Sequence, residues 1–559
     1  MTLEATMANY DIDKVRRAFP ILATLVHGKP LIYLDTAASA QKPEPVFDAM
    51  KSFATGSYAN VKRSAHALAE NATRAYENAR GVVAKYLNAH PDEVIFTSGT
   101  TDSLNKAARA VEPSLAEGDE VLVSAMEHHS SFVPWQQVAE RRRCAFRAIP
   151  LTPEYRLDID ALSEMLTDRT RVVAIAHVSN TLGTINPIER ISRLVREHAP
   201  NALLVVDGAQ AAPHGPVDVR ALDCDLYAFS GHKVYGPTGI GVLYGKRAVL
   251  ESLAPPAWGG EMVDTVTIEH TTWAPVPARF EAGTPNIIGA IGLAAALRWL
   301  DHLGWDAIRA YESDLVQYTI QQLKGIPGIT LIGPSTVNDR GGQFSFTLGD
   351  WHPHDLAAVL DARGIAVRAG HHCTQPLHRS LGIDATVRAS IALHTTRDEI
   401  DVLVAALREA AEPAPTDKST VFDGPMTPEQ ELLLEEIKDH AIRPRNKRRI
   451  EGVEPVHGRN PNCGDKVDVY LTVKNGEITD IAFEGSGCAI SQASMSKLTN
   501  GLKGKDAHEA LDLGLDEVNK LLGIDFSTKP VRAKCAMLGL RATQEAIRRC
   551  MHEPIGEHP

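Results

Sequence analysis

Short apolar runs alternate with longer amphipathic stretches from Leu31 to about Ala410. Val172–Val178 and Leu203–Val206 are β-rich runs that end in polar residues and lead into stretches with helical spacing. That rhythm predicts a mainly parallel α/β sheet. Ligands of such sheets sit beyond the carboxyl ends of the strands. The polar tails His177-Val178-Ser179-Asn180 and Asp207-Gly208-Ala209-Gln210 are expected there. Val94–Phe96 is a further expected strand, running through Ser98-Gly99-Thr100-Thr101 into a helix.

The rhythm breaks after Arg408. From Glu412 to Pro428 the chain places Pro413, Pro415, Pro425, Pro428 and Gly424 among polar residues, the composition of a semi-extended linker. A helix is expected over Glu429–Ile442, followed by a basic run at Arg443, Arg445, Lys447, Arg448 and Arg449. Val467–Val473 and Ile478–Phe483 read as a hairpin turning at Lys474-Asn475-Gly476-Glu477. Helices are expected over Ser494–Leu502 and after Cys535. The expected division is therefore 1–410, a linker over 411–428, and a small α+β domain over 429–559.

A chain of 559 residues exceeds one hydrophobic core, which agrees with that division. The net charge of −12 argues against a nucleic-acid partner, which would require a basic face. No apolar run approaches the length of about 18 residues that a membrane span needs. Met1–Tyr10 lacks the apolar stretch of a signal peptide. The seven cysteines are odd in number and scattered, unlike a disulfide framework. A reducing cytoplasm is expected, where thiols serve chemistry or metal binding.

Candidate chemistry falls in three places. In Phe229-Ser230-Gly231-His232-Lys233-Val234-Tyr235-Gly236-Pro237 a lysine sits in a glycine-bearing loop after a strand. With a lowered pKa in a confined pocket it can bond covalently to an aldehyde cofactor; a surface lysine in a turn is the plain alternative. Amides and hydroxyls at the Thr100-Thr101 helix start suit a phosphate. They equally suit an ordinary cap. Asp207 can pair with a protonated pyridine nitrogen, and His128 in Glu127-His128-His129 can stack on a ring. Cys373 follows Arg368, His371 and His372, surroundings that favour a thiolate over the buried small hydrophobe that a lone cysteine often is. Cys144 and Cys224 lack such neighbours and read as structural. In the tail, Cys463, Asp465, Cys488 and Cys535 form a possible tetrahedral zinc set, with scattered buried thiols as the alternative.

Taken together, the first 410 residues resemble the group II, Suf-type cysteine desulfurases of the class V aminotransferase fold. The resemblance rests on Leu34-Asp35-Thr36-Ala37-Ala38-Ser39, Gly99-Thr100-Thr101, Glu127-His128-His129, Val178-Ser179-Asn180 and Ser230-Gly231-His232-Lys233. It continues through Arg279-Phe280-Glu281-Ala282-Gly283-Thr284-Pro285, Arg368-Ala369-Gly370-His371-His372-Cys373 and Arg388-Ala389-Ser390. It implies a pyridoxal-phosphate-dependent fold type I enzyme, a homodimer acting on L-cysteine. Lys233 would hold the cofactor and move the α-proton, His128 would stack on the ring, and Asp207 and Gln210 would meet its nitrogen and oxygen. Thr100, Thr101, Ser230 and His232 would bind the phosphate, with Thr284 reaching over from a second subunit. Arg388, with Asn180 and Arg368, would hold the substrate carboxylate, and Cys373 would take the sulfur. One departure stands out: Lys62-Arg63 occupies the place where the family usually carries His-Arg.

The tail resembles the SufU branch of the U-type iron–sulfur scaffold family. The resemblance rests on Pro444-Arg445-Asn446, Asn460-Pro461-Asn462-Cys463-Gly464-Asp465, the Gly485–Ser494 segment and Lys534-Cys535-Ala536. It implies zinc held by Cys463, Asp465, Cys488 and Cys535. Lys534 stands where scaffold-type relatives carry histidine, which favours the SufU branch, but the insertion typical of that branch is missing between Cys488 and Cys535. In Trp351-His352-Pro353-His354-Asp355, His354 matches a histidine thought to exchange onto the zinc of SufU partners and free Cys463 as acceptor. Helix capping is the plainer role for it. The expected activity forms L-alanine and a Cys373 persulfide and feeds the tail, then Suf-type assembly proteins, for iron–sulfur cluster assembly. The tail's role stays open between a zinc sulfurtransferase, a scaffold carrying an iron–sulfur cluster and an activating docking module. Selenocysteine lyase chemistry would use the same cofactor site.

Overall fold

A computed structural model describes residues 10–62, 65–412, 427–460 and 464–551. Its centre is a seven-stranded sheet of β1 (Val94–Thr97), β2 (Glu120–Ser124), β3 (Ala145–Ile149), β4 (Thr170–Ala176), β5 (Leu203–Asp207), β6 (Leu226–Ser230) and β7 (Gly241–Gly245). The order is β1-β7-β6-β5-β4-β2-β3, and only β7 runs against the others. Helices cover both faces, so the strands read as continuous apolar runs rather than alternating ones. Val121, Leu122 and Val123 are all fully buried, each burial worth about 1.5–3 kcal/mol. Because β1, β2, β4, β5 and β6 end at one edge, their polar tails converge there. This is the expected mainly parallel α/β architecture.

A smaller antiparallel sheet packs beside it: β8 (Ile329–Ile332), β9 (Gln343–Leu348), β10 (Arg368–Gly370) and β11 (Thr386–Ser390), in the order β8-β9-β11-β10. Its last helix in sequence runs Arg397–Ala411, closed at its start by a Thr396/Glu399 capping box. Residues 413–426, most of the expected linker, lie outside the described residues.

The tail resumes at a helix over Pro428–Ile442, started by a Thr427/Gln430 capping box with proline at its first position. Three antiparallel strands follow, β12 (Val456–Arg459), β13 (Lys466–Lys474) and β14 (Glu477–Ser486). The expected hairpin turns through Asn475 and Gly476, whose φ of 53° and 81° suit a two-residue loop. Helices over Ala489–Leu502 and Pro530–Met551 pack with this sheet around Phe483, Ile481 and Leu540. Two boundaries differ from expectation. The first of these helices begins at Ala489 rather than Ser494, and the last begins at Pro530, so Cys535 lies inside it. The basic run is neutralised locally: Arg445 pairs with Asp439, Arg448 with Asp480 and Arg449 with Glu484.

Candidate active site and tail thiol site

The strand tails enclose a cavity of about 170 Å³. Thr100, Thr101, His128, Asn180, Asp207, Gln210, Ser230, His232, Lys233, Arg368 and Arg388 all line it. Residues far apart in sequence are thus gathered at the carboxyl edge of the sheet. Thr284 does not line the cavity; it is exposed.

Burial shapes the chemistry open to Lys233. Its amine is pushed down to about 8, desolvation outweighing the opposing charge of Asp207. Loading of pyridoxal phosphate onto cofactor-free protein should therefore accelerate as pH rises towards about 8 and then level off. An amine of ordinary pKa would keep accelerating to about pH 10.4. Recovery of visible absorbance, followed by stopped flow, reads the difference.

His128 is the N-cap of the helix His129–Arg142, and its Nδ1 accepts the Ser130 N–H at 3.1 Å. That bond anchors the ring at the cavity wall. Burial, then the charge of Lys233, pushes it down to about 3, so it is a neutral imidazole. Asp207 Oδ1 accepts the Ala209 N–H at 2.9 Å, while burial raises its pKa against the pull of Lys233. Ser230 Oγ takes the Thr100 N–H at 2.7 Å, and Thr101 Oγ1 lies 2.7 Å from Ser130 Oγ. His232 Nδ1 meets Ser39 Oγ at 3.2 Å. Gln210 donates to the Ala37 carbonyl at 2.8 Å and is bonded by Gln343 Nε2 at 3.1 Å.

Arg388 is fully buried, donating to the Asn180 carbonyl at 3.0 Å and to Asp35 at 3.2 Å. Its buried Nε has no partner among the described residues, and is the donor that a bound carboxylate would satisfy. With the lysine, the imidazole of His128 at the cavity wall and the hydroxyl cluster at a helix start, these residues fit pyridoxal phosphate. The cofactor would supply an electron sink at Lys233.

Cys373 projects from a constrained loop. His372 and Cys373 both have positive φ, 51° and 60°, which costs roughly 1–2 kcal/mol per residue. His129 clamps the loop twice: its N–H donates to the Cys373 carbonyl at 2.8 Å and its Nε2 accepts the Gln375 N–H at 3.0 Å. Arg368 Nη2 stands 3.8 Å from the Cys373 sulfur. The other two cysteines of this half differ. Burial pushes Cys224 up to about 12 and raises Cys144.

Two features escaped the sequence. Glu127 is wholly buried, and its Oε1 ties the Ala176 N–H to the Ser124 hydroxyl, joining the ends of β4 and β2 under the cavity. Burial pushes its carboxyl up to about 8. Lys62, at the family's histidine position, is drawn to Glu281 at 3.6 Å and Glu77 at 3.7 Å and does not line the cavity. Arg63 lies outside the described residues.

In the tail, ligand atoms of Asp465, Cys488 and Cys535 all lie within 4.8 Å of one another, and all three residues are buried. Cys488 Sγ is 3.6 Å from Asp465 Oδ2, close to the separation expected when both meet one tetrahedral zinc. Hydrogen bonding with Cys535, then burial, holds the Cys488 thiol well above its usual range. A cation fits this environment, and these residues would hold it as thiolates and carboxylate. Cys463 lies outside the described residues. Cys550 is apart from the cluster, its sulfur 3.7 Å from the Leu471 carbonyl.

The thiol site faces the start of the helix Pro353–Asp361. Asp355 accepts the Ala489 N–H at 3.0 Å and Arg532 at 3.3 Å, and Arg532 also donates to the His354 carbonyl. Lys466 pairs with Asp384 nearby. The capping role weighed for His354 belongs instead to His352, whose Nδ1 accepts the His354 N–H. The buried His354 Nε2 has no partner among the described residues, and burial pushes its ring down to about 4.

Sheet order, lysine loop and strand-edge cavity define a pyridoxal-phosphate-dependent enzyme of the class V aminotransferase fold, carrying a second small domain. The chain belongs to the aminotransferase class-V family, which it matches over residues 32–403, and its tail matches the NifU-like N-terminal domain over residues 433–554. It is 45% identical to a probable cysteine desulfurase of Halalkalibacterium halodurans over 401 residues, 71% of this chain and 98% of that one. It is 48% identical to a probable cysteine desulfurase of Streptomyces coelicolor over 404 residues, 71% of this chain and 96% of that one. The solved cysteine desulfurase of Thermococcus onnurineus superposes with a TM-score of 0.69 at 36% identity, covering 72% of this chain and 98% of that one. The cysteine desulfurase CsdA of Escherichia coli gives 0.66 at 39%, covering 72% and 99%. Among the described residues no single helix is long and apolar enough to cross a membrane.

Proposed function

We propose that the protein is an L-cysteine desulfurase of the Suf-type group that passes sulfur from Cys373 to its own SufU-like, zinc-bearing tail for iron–sulfur cluster assembly. The division is 1–410 for the desulfurase, 411–428 for the linker and 429–559 for the acceptor; the two family matches fall inside the outer spans. The observation that carries the reading is the seating of the tail's thiol site on the first turn of the helix Pro353–Asp361, part of the domain that bears Cys373.

Arg388 and Asn180 hold the substrate carboxylate, with Arg368 beside the reacting sulfur. Lys233 removes the α-proton, and the Cys373 thiolate attacks the substrate sulfur. An S–S bond forms and the C–S bond breaks, its electron pair staying with carbon, which takes a proton to become L-alanine. A tail thiolate then attacks the outer sulfur of the persulfide, and the Cys373 thiolate leaves. No outside oxidant is needed. Thr284, exposed in its own subunit, contributes its hydroxyl to the phosphate of a second copy, which makes the working unit a homodimer.

Cys463, Asp465, Cys488 and Cys535 form the zinc set. His354, whose Nε2 has no partner among the described residues, then replaces Cys463 in that set and leaves Cys463 available as the acceptor. In His354→Ala, Cys373 should still gain sulfur while its arrival at Cys463 falls at least about tenfold, the scale of losing a metal-site partner. Mass spectrometry of both peptides after one turnover decides it. Arrival at the parent rate would refute the exchange. Stoichiometric zinc in anaerobically purified protein separates this reading from a cluster scaffold, which would show an iron–sulfur chromophore instead.

A further inference from the structure

His352 sits between the two domains with both ring nitrogens engaged. It is the N-cap of the helix Pro353–Asp361, and its Nδ1 accepts the His354 N–H at 3.3 Å. A nitrogen that accepts carries no proton, so in the neutral ring the proton is on Nε2. That Nε2 lies 3.0 Å from Asp465 Oδ1, and the Asp465 side chain is completely buried. The cap therefore sets the tautomer, and the tautomer makes His352 a donor to the tail's carboxylate rather than a metal ligand.

The two oxygens of Asp465 are thereby given different surroundings. Oδ1 takes the His352 Nε2–H and, at 3.3 Å, the Cys488 N–H. Oδ2 points to the thiols, 3.6 Å from Cys488 Sγ. Asp355 fixes the spacing of this contact, since it binds the Ala489 N–H and Arg532 one turn away. A histidine held this way acts on a metal through the ligand it orients.

We infer that His352 of the desulfurase domain is a positioning residue for the tail's metal site, holding Asp465 by one oxygen so that the other faces the thiols. The inference rests on the zinc-bearing reading of the tail and adds a residue supplied across the domain boundary. Docking then completes the support around the metal with His352, while His354 is the separate group whose Nε2 has no partner among the described residues.

The test uses the full chain and zinc alone. Zinc retention is measured by competition with a chromophoric chelator, and cobalt(II) is substituted to read the visible ligand-field bands. Asparagine is a good N-cap but too short to reach Asp465, whereas glutamine places its Nε2 near the position of the histidine Nε2. His352→Ala and His352→Asn should each lose zinc affinity by about tenfold and shift the cobalt bands. His352→Gln should return both towards the parent. The asparagine variant keeps the helix start, so its loss separates positioning from folding. Parent-like affinity and bands in His352→Asn, or a glutamine variant as weak as alanine, would overturn the inference while leaving the zinc reading intact. A parent protein without zinc at these residues would overturn both.

Discussion

Replacing Lys233 by alanine should leave a protein without the visible absorbance of bound pyridoxal phosphate and without cysteine turnover. The cavity supplies no other amine at that place: among its described lining residues Lys233 is the one lysine. Two functions go at once, covalent retention of the cofactor and removal of the α-proton. Loss of the proton transfer alone costs about 10²–10⁴-fold. The two arginines that line the cavity carry guanidinium groups, which are poor general bases and do not substitute. Absorbance of the purified variant, followed by alanine formation, checks both functions. A variant that keeps the parent spectrum would refute the lysine assignment.

Replacing Cys373 by serine should separate cofactor chemistry from sulfur chemistry. The absorbance should persist, because Cys373 does not line the cofactor cavity. Persulfide formation should vanish, since a serine hydroxyl puts no sulfur nucleophile at that place. Turnover should fall by several orders of magnitude, as it does when a covalent nucleophile is removed. The His129 clamp acts on the backbone and survives the substitution, so the loss reports the sulfur atom and not the loop. Mass spectrometry showing one added sulfur on residues 1–410 of this variant would count against Cys373 as the acceptor.

Much of this architecture was legible because local pattern and fold agree. Strands buried on both faces leave continuous apolar runs, and the polar residues that end them, Asn180, Asp207 and Ser230, have one edge to occupy. Asn475-Gly476 marked its hairpin through backbone conformation alone. The helix containing Cys535 starts earlier than its apolar pattern indicates, at Pro530, a proline in the first turn. Glu127 looked like a loop residue, since nothing adjacent in sequence indicates that it ties two strand ends. Arg443 to Arg449 looked like a basic patch because Asp480 and Glu484, which neutralise two of its members, come from a later strand. The docking contacts were hidden for the same reason. His352 and Asp465 are distant in sequence, and a histidine before a proline shows only its capping role. His354 entered through family resemblance, and the structure moved the cap to its neighbour while leaving the His354 Nε2 without a partner among the described residues.

We propose above all that sulfur leaves L-cysteine through Cys373 and arrives on the fused tail. The direct measurement is a single turnover with ³⁵S-labelled L-cysteine, without added reductant, followed by rapid alkylation, digestion and mapping of the label. The account predicts label first on the Cys373 peptide and then on the Cys463 peptide, with neither labelled in Cys373→Ser. Label that stays on Cys373 until a reductant is added, with the tail unlabelled, would contradict it.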